Sequence, residues 1–156
     1  KMYDYIERIL TENGYNHYEI SNFCKGDFYS KHNINYWDNE EYYGFGVAAH
    51  GYENNVRYSN EEILENYIDN PLSHKNFHFQ TEQEKLEEEI FLGLRKIDGI
   101  NIFEINQKYN INFEEKYLNI IKKYEGLNLL KKTKQGYALT LDGILVSNTI
   151  MSEFIN

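Results

Sequence analysis

Between residue 81 and the C-terminus, four side-chain caps divide the sequence into short helices before any tertiary contact is considered. Thr81-x-x-Glu84 is a capping box, in which hydroxyl and carboxylate each answer a backbone N–H of the first turn. Leu86, Ile90, Phe91 and Leu94 then recur on one helical face, and Asp98-Gly99 stops that helix. Asn101-x-x-Glu104 opens a second helix to about Tyr109. Asn112-x-x-Glu115 opens a third, with Tyr117, Ile120, Ile121 and Tyr124 at helical spacing up to Gly126. Residues 127–133 and 137–139 read as a two-strand ribbon turned by Lys134-Gln135-Gly136, and Thr140 caps a last helix to about Ile155. Three helices, a ribbon and a closing helix form a winged-helix-like order, assigned to a unit spanning 80–156.

Such an order often serves DNA through its third helix. Here that helix sets Glu114, Glu115 and Glu125 against Lys116, Lys122 and Lys123, so its charge cancels. From Thr81 onward there are ten basic and twelve acidic residues, and the whole chain carries a net charge of −9. Phosphate neutralisation supplies most nucleic-acid affinity, so nucleic acid is excluded as a partner. Lys131, Lys132 and Lys134 are the one basic cluster of this half, and a solvated hairpin edge accounts for them.

The first half is less regular. Met2, Tyr5, Ile6, Ile9 and Leu10 predict a helix stopped by Gly14, and 15–21 reads as a strand with Tyr18 and Ile20 on one face and Glu19 on the other. A helix followed by a strand is what the tail of an α/β barrel would present. A strand without its upstream neighbours has bare edges, which predicts self-association of the chain. Residues 22–30 read as loop and 52–60 as polar and turn-like. Glu61, Ile63, Leu64, Tyr67 and Ile68 suggest a short helix closed by Asn70-Pro71, and 70–80 reads as the connector between a unit at 1–72 and the unit from 80. His74 and His78 lie four apart in it. On a helix they could share a face and a metal, but the nearby Pro and the lack of a third ligand speak against that. Lys1 opens the chain inside an amphipathic segment, as in a piece of a longer protein.

Cys24 is the only cysteine, so no internal disulfide forms, and no apolar run approaches the length of a membrane span. These features, with no signal-peptide pattern, predict a cytoplasmic location.

Chemistry concentrates in Ser30 to Gly51, SKHNINYWDNEEYYGFGVAAHG. His32-Asn33-Ile34-Asn35-Tyr36-Trp37 holds the only Trp and a His flanked by amide and phenol groups. Gly44-Phe45-Gly46-Val47-Ala48-Ala49-His50 alternates Gly with small residues, so the backbone can approach something flat and bulky. A buried aromatic cluster and a tight turn would need the same residues.

Tyr18-Glu19-Ile20-Ser21-Asn22-Phe23, HNINYW, and GFGVAAHG followed by Arg57 and Asn60 together resemble oxygen-independent coproporphyrinogen III oxidase-like proteins of the radical S-adenosylmethionine (radical SAM) group. The resemblance is specific over 18–60 and diffuse afterwards, and the His-Asn-x-x-Tyr-Trp block marks its heme chaperone branch. It implies an α+β chain: the end of a radical SAM α/β barrel (1–72), then a small winged-helix-like C-terminal domain. It further implies binding of heme or porphyrin and delivery of heme to acceptor proteins. His32 would be the iron ligand, with Tyr36 and Trp37 against the porphyrin. A His satisfied within a polar loop network is the other reading of His32. By the same resemblance Gly46, Val47 and Ala48 would wall the S-adenosylmethionine pocket of a full-length parent. The alternative function is that of the oxidase branch, decarboxylation of coproporphyrinogen III to protoporphyrinogen IX. A radical SAM [4Fe–4S] cluster takes three closely spaced cysteines, and one cysteine cannot build it. The resemblance therefore assigns cluster and S-adenosylmethionine chemistry to the parent, and no catalytic residue to this chain.

Overall fold

The computed structural model describes residues 2–155. Its contacts divide into two compact units, one formed by residues up to 38 together with 86 onward, the other by 39–85. The expectation attached to Lys1 lies outside the described residues.

In the first unit, α1 (Met2–Glu12) ends where the sequence placed its stop: Asn13 bonds back to Ile9, and Gly14 adopts φ +78°. β1 (Tyr15–Glu19) pairs antiparallel with β2 (Asn22–Lys25), Tyr15 opposite Lys25. Residues 22–25 are therefore strand, where a loop was expected. Four residues are too few to show a period, and only the partner strand defines them. The backbone of Tyr18 and Ile20 is not bare either. Ile20 N–H donates to Arg95 O at 2.9 Å and Ile97 N–H to Tyr18 O at 3.2 Å. That removes the open edge on which self-association was argued. α2 (Lys31–Trp37) follows.

The second unit is a three-stranded antiparallel sheet in the order β3 (His50–Glu53), β4 (Val56–Asn60), β5 (His74–Phe79), with α3 (Leu64–Asp69) between the last two strands. The stretch 52–60 is thus a hairpin and only its tip is turn. Asn54 and Asn55 take φ +50° and +62°, the left-handed pair that closes a two-residue hairpin loop. The 70–80 segment, expected as connector, is mostly β5. In His74-Lys75-Asn76-Phe77-His78-Phe79 only Phe77 and Phe79 share an apolar face and both are exposed, so pairing with β4, not burial, makes it a strand.

The caps of the last half form as read. Glu84 N–H donates to Thr81 Oγ1 at 3.2 Å and Thr81 N–H to Glu84 Oε2 at 2.7 Å, opening α4 (Glu82–Gly93). β6 (Ile100–Asn101) leads into α5 (Ile102–Tyr109), which Asn101 caps through the amides of Phe103 and Glu104. Asn112 caps α6 (Phe113–Lys116), and α7 (Leu118–Gly126) follows after a break at Tyr117. β7 (Leu130–Lys132) and β8 (Gly136–Leu139) join β6 in a sheet ordered β6-β8-β7. Thr140 caps α8 (Leu141–Leu145), and α9 (Ser147–Ser152) follows a break at Val146. The third and the last helix read from the sequence are therefore each two short ones. At the first break Tyr117 is buried with its ring 4.9 Å from that of Phe113 and 5.2 Å from that of Phe154. Around them pack Ile90, Leu94, Ile105, Ile121, Ile150 and Met151. The fold is mixed α and β, and among the described residues no helix is long and apolar enough to cross a membrane.

Candidate functional site

The HNINYW block forms α2. Ser30 starts it, its Oγ accepting from Asn33 N–H at 3.3 Å, and Asp38 N–H closes it on Ile34 O at 2.8 Å. No residue of this helix is fully buried. His32 is exposed in the first turn, its ring edge-on to Tyr36 with centroids 4.9 Å apart at 65°. Spacing of four places the two on one helical face. The His32 imidazole makes no hydrogen bond among the described residues.

Trp37, on another face, anchors the helix. The Arg95 guanidinium lies 4.4 Å from the Trp37 ring centre, a cation–π distance. Next to it Asp38 pairs with Lys96 at 2.6 Å. The block is thus held at its C-terminal end, and His32 lies exposed in its first turn. Arg95 carried no motif, and its sequence distance from Trp37 hid it from sequence reasoning.

Cys24 is buried, its thiol donating to Gly26 O at 3.3 Å. Glu19, from the Tyr-Glu-Ile segment, is fully buried and accepts from Asn22 Nδ2. Beside it, Tyr3 donates to Ile20 O at 2.7 Å and lies 3.1 Å from His17 Nε2. Burial first, then Glu19 and Glu7, push the Tyr3 phenol up to about 12. Burial also pushes the His17 imidazole below its ordinary value. This cluster ties α1 to the β1–β2 ribbon.

In the second unit the Gly44-x-Gly46 segment is an ordered loop. Asn60, 1% exposed, donates through Nδ2 to Gly44 O and Gly46 O, both at 2.9 Å, and its Oδ1 lies 2.9 Å from His74 Nδ1. Gly46 N–H donates to Tyr67 OH at 3.0 Å, and Ala48 N–H to Glu61 O at 2.9 Å. The glycines serve different ends. A Cβ on Gly44 would sit 2.3 Å from His50 O, so packing within the chain requires that glycine. Gly46 takes φ +107° and a Cβ there would meet nothing within 4 Å. Ala48 is held at φ +57°, and Phe45 and Val47 stand 87% and 40% exposed. The loop offers an open, shallow surface with its backbone fixed from below. Arg57 braces the preceding segment, donating to Tyr42 OH and Asn39 Oδ1 at 2.9 Å each over the Tyr52 ring. His32, Tyr36 and Trp37 belong to one unit and Gly46, Val47 and Ala48 to the other.

His74 and His78 lie on strand β5, where the helical pairing once weighed for a metal is not formed. His74 meets Asn60, and His78 meets Glu84 at 3.0 Å. Among the described residues no group of three or more ligating side chains could hold a metal. A [4Fe–4S] cluster does not fit this chain, whose single thiol is enclosed and bonded to its own backbone.

Comparison with known proteins agrees with this arrangement. Residues 80–146 match the HemN C-terminal domain family. In a solved structure of Escherichia coli coproporphyrinogen III oxidase (HemN), described as a radical SAM enzyme, a region covering 39% of that chain superposes on 97% of this one. The TM-score is 0.74 at 14% identity, a likeness of fold. By sequence, residues 80–146 belong with the HemN C-terminal domain family, and the likeness of fold to HemN extends over nearly the whole chain. The chain is similar to the heme chaperone HemW of Lactococcus lactis, 40% identical over 99% of this chain, and to that of Bacillus subtilis, 34% identical over 99%. It spans 41% and 42% of those relatives' lengths.

Proposed function

We propose that this chain is the heme-handling C-terminal part of a heme chaperone. His32 takes the heme iron, Tyr36 and Trp37 flank the porphyrin, and the heme passes on to acceptor proteins. The observation that carries this reading is the state of His32. It is an exposed imidazole with no hydrogen-bond partner among the described residues, on an anchored helix and beside an aromatic ring. A neutral imidazole with a free ring nitrogen is a good axial ligand for heme iron. Heme is cargo here, and the reading needs no chemistry on it.

The remaining assignments belong to the same proposal. The chain comprises a barrel tail at 1–72 and a winged-helix-like unit at 80–156. The start of the family match at residue 80 and the β6-β8-β7 sheet support that division. Gly46, Val47 and Ala48 wall an S-adenosylmethionine pocket in a longer parent that also supplies the [4Fe–4S] cysteines. The fixed backbone and open face of that loop support this role. The protein works in the cytoplasm.

Hemin titration by Soret absorbance on wild type, His32→Ala and His50→Ala tests the central assignment. Loss of affinity in His32→Ala, with His50→Ala unchanged, is the expected result. An unchanged Soret band in His32→Ala together with its loss in His50→Ala would overturn it.

A further inference from the structure

The chain has three arginines, and two are committed. Arg8 lies 3.7 Å from Glu12, and Arg57 bonds Tyr42 and Asn39. The Arg95 side chain makes no hydrogen bond or ion pair among the described residues, and its one contact of note is the Trp37 ring. Its Nε is buried without an acceptor, and so is the indole Nε1 of Trp37. Two N–H donors, one on a guanidinium that stays charged at every working pH, thus lie together with nothing to receive them. Buried donors are nearly always satisfied, so the pair marks missing chemistry. The adjacent carboxylate cannot supply it, because Asp38 is engaged by Lys96 at 2.6 Å.

We propose that Arg95, stacked on Trp37, receives a carboxylate of the bound porphyrin, a propionate of heme. This rests on the heme reading of the same block and adds a second point of attachment to it. The missing partner is an acceptor, and a water molecule would leave the guanidinium charge uncompensated. A carboxylate matches the guanidinium fork with two parallel N–H···O bonds. Trp37 lies five positions along α2 from His32, about 7.5 Å of rise and turned to another face of the helix. The propionates of heme extend from the rim of the macrocycle, a comparable span from its iron. Iron at one end of α2 and a propionate at the other would fix the orientation of the porphyrin. A lone axial ligand leaves the macrocycle free to turn about its bond to the iron.

The experiment uses the 156-residue chain with hemin and with hemin dimethyl ester, whose propionates carry no charge. Soret absorbance and quenching of Trp37, the only tryptophan, report binding to wild type, Arg95→Gln and Arg95→Lys. Arg95→Gln weakens hemin binding about tenfold or more, as loss of a charge-assisted hydrogen bond does. It leaves the diester unaffected. Arg95→Lys, which keeps the charge without the fork, falls between, and serves alone if the Gln variant fails to fold. Excess acetate that displaces hemin from wild type no better than chloride supports a porphyrin-borne carboxylate over a free one. Equal hemin affinity in wild type and Arg95→Gln would overturn the proposal while leaving His32 as ligand. Equal weakening of hemin and diester would also overturn it, since Arg95 would then act only as a clamp on Trp37. Absence of any hemin binding by wild type would overturn the heme reading and this site with it.

Discussion

Asn60→Ala tests whether the Gly44-x-Gly46 loop is built from beneath. The Asn60 side chain makes three hydrogen bonds from an almost wholly buried position: two from Nδ2 to the carbonyls of Gly44 and Gly46, one between Oδ1 and His74 Nδ1. At about 1 kcal/mol net for each bond, truncation should cost the loop about 3 kcal/mol. Two backbone carbonyls would be left without their donor, and the backbone strain at Ala48, φ +57°, would lose its restraint. The readout is amide hydrogen exchange at Gly46 and Ala48, whose N–H groups bond Tyr67 OH and Glu61 O. A loss of about 3 kcal/mol accelerates exchange there by about a hundredfold. Asn60→Asp is the control for geometry. It keeps the acceptor facing His74 but turns a second oxygen toward two carbonyls, so at neutral pH it loosens the loop at least as much. The reasoning is refuted if Asn60→Ala leaves both amides exchanging at the wild-type rate. It is equally refuted if Asn60→Asp protects them fully at neutral pH.

Phe113→Ala removes a fully buried ring stacked near Tyr137 and Phe154 and should destabilise its unit by about 3–5 kcal/mol, measured by urea denaturation. The Glu84 carboxyl is held below its ordinary value of 4.5, first by the Thr81 backbone N–H, then by the Thr81 hydroxyl, with His78 adding. A depressed folded value gives a contribution that is complete above 4.5 and is lost as pH falls through the folded value. Unfolding followed down an acid series should therefore show a loss at that step which Glu84→Gln lacks. Reconstitution of the chain with iron and sulfide should give no stoichiometric [4Fe–4S] signal by iron analysis and electron paramagnetic resonance, because the one thiol is buried.

The candidate site was legible in part. His32, Tyr36 and Trp37 stood out as residue types, and Gly46, Val47 and Ala48 as a stretch whose backbone could be closely approached. Their supports were silent. Arg95 reaches Trp37 from 58 positions away, and Tyr67 reaches Gly46 from 21. Each is an ordinary residue in its own local context. Trp37 itself was read as facing a ligand, whereas one of its faces lies against Arg95.

What the sequence determined by itself is the set of local decisions. The caps at Thr81, Asn101, Asn112 and Thr140 and the stop at Gly14 all formed, because each is settled between residues within a few positions of one another. Tertiary structure decided everything that depends on a distant partner. It made strands of 22–25 and 74–79, covered the backbone of Tyr18 and Ile20 with residues 95–97, and divided two apparent helices at Tyr117 and Val146. The physical reason is that a helix closes its hydrogen bonds within its own segment, while a strand borrows its partners from elsewhere in the chain. The burial of Asn60 beneath the glycine loop is of the second kind. A polar residue can occupy that position only because the fold brings two carbonyls and a histidine to meet it.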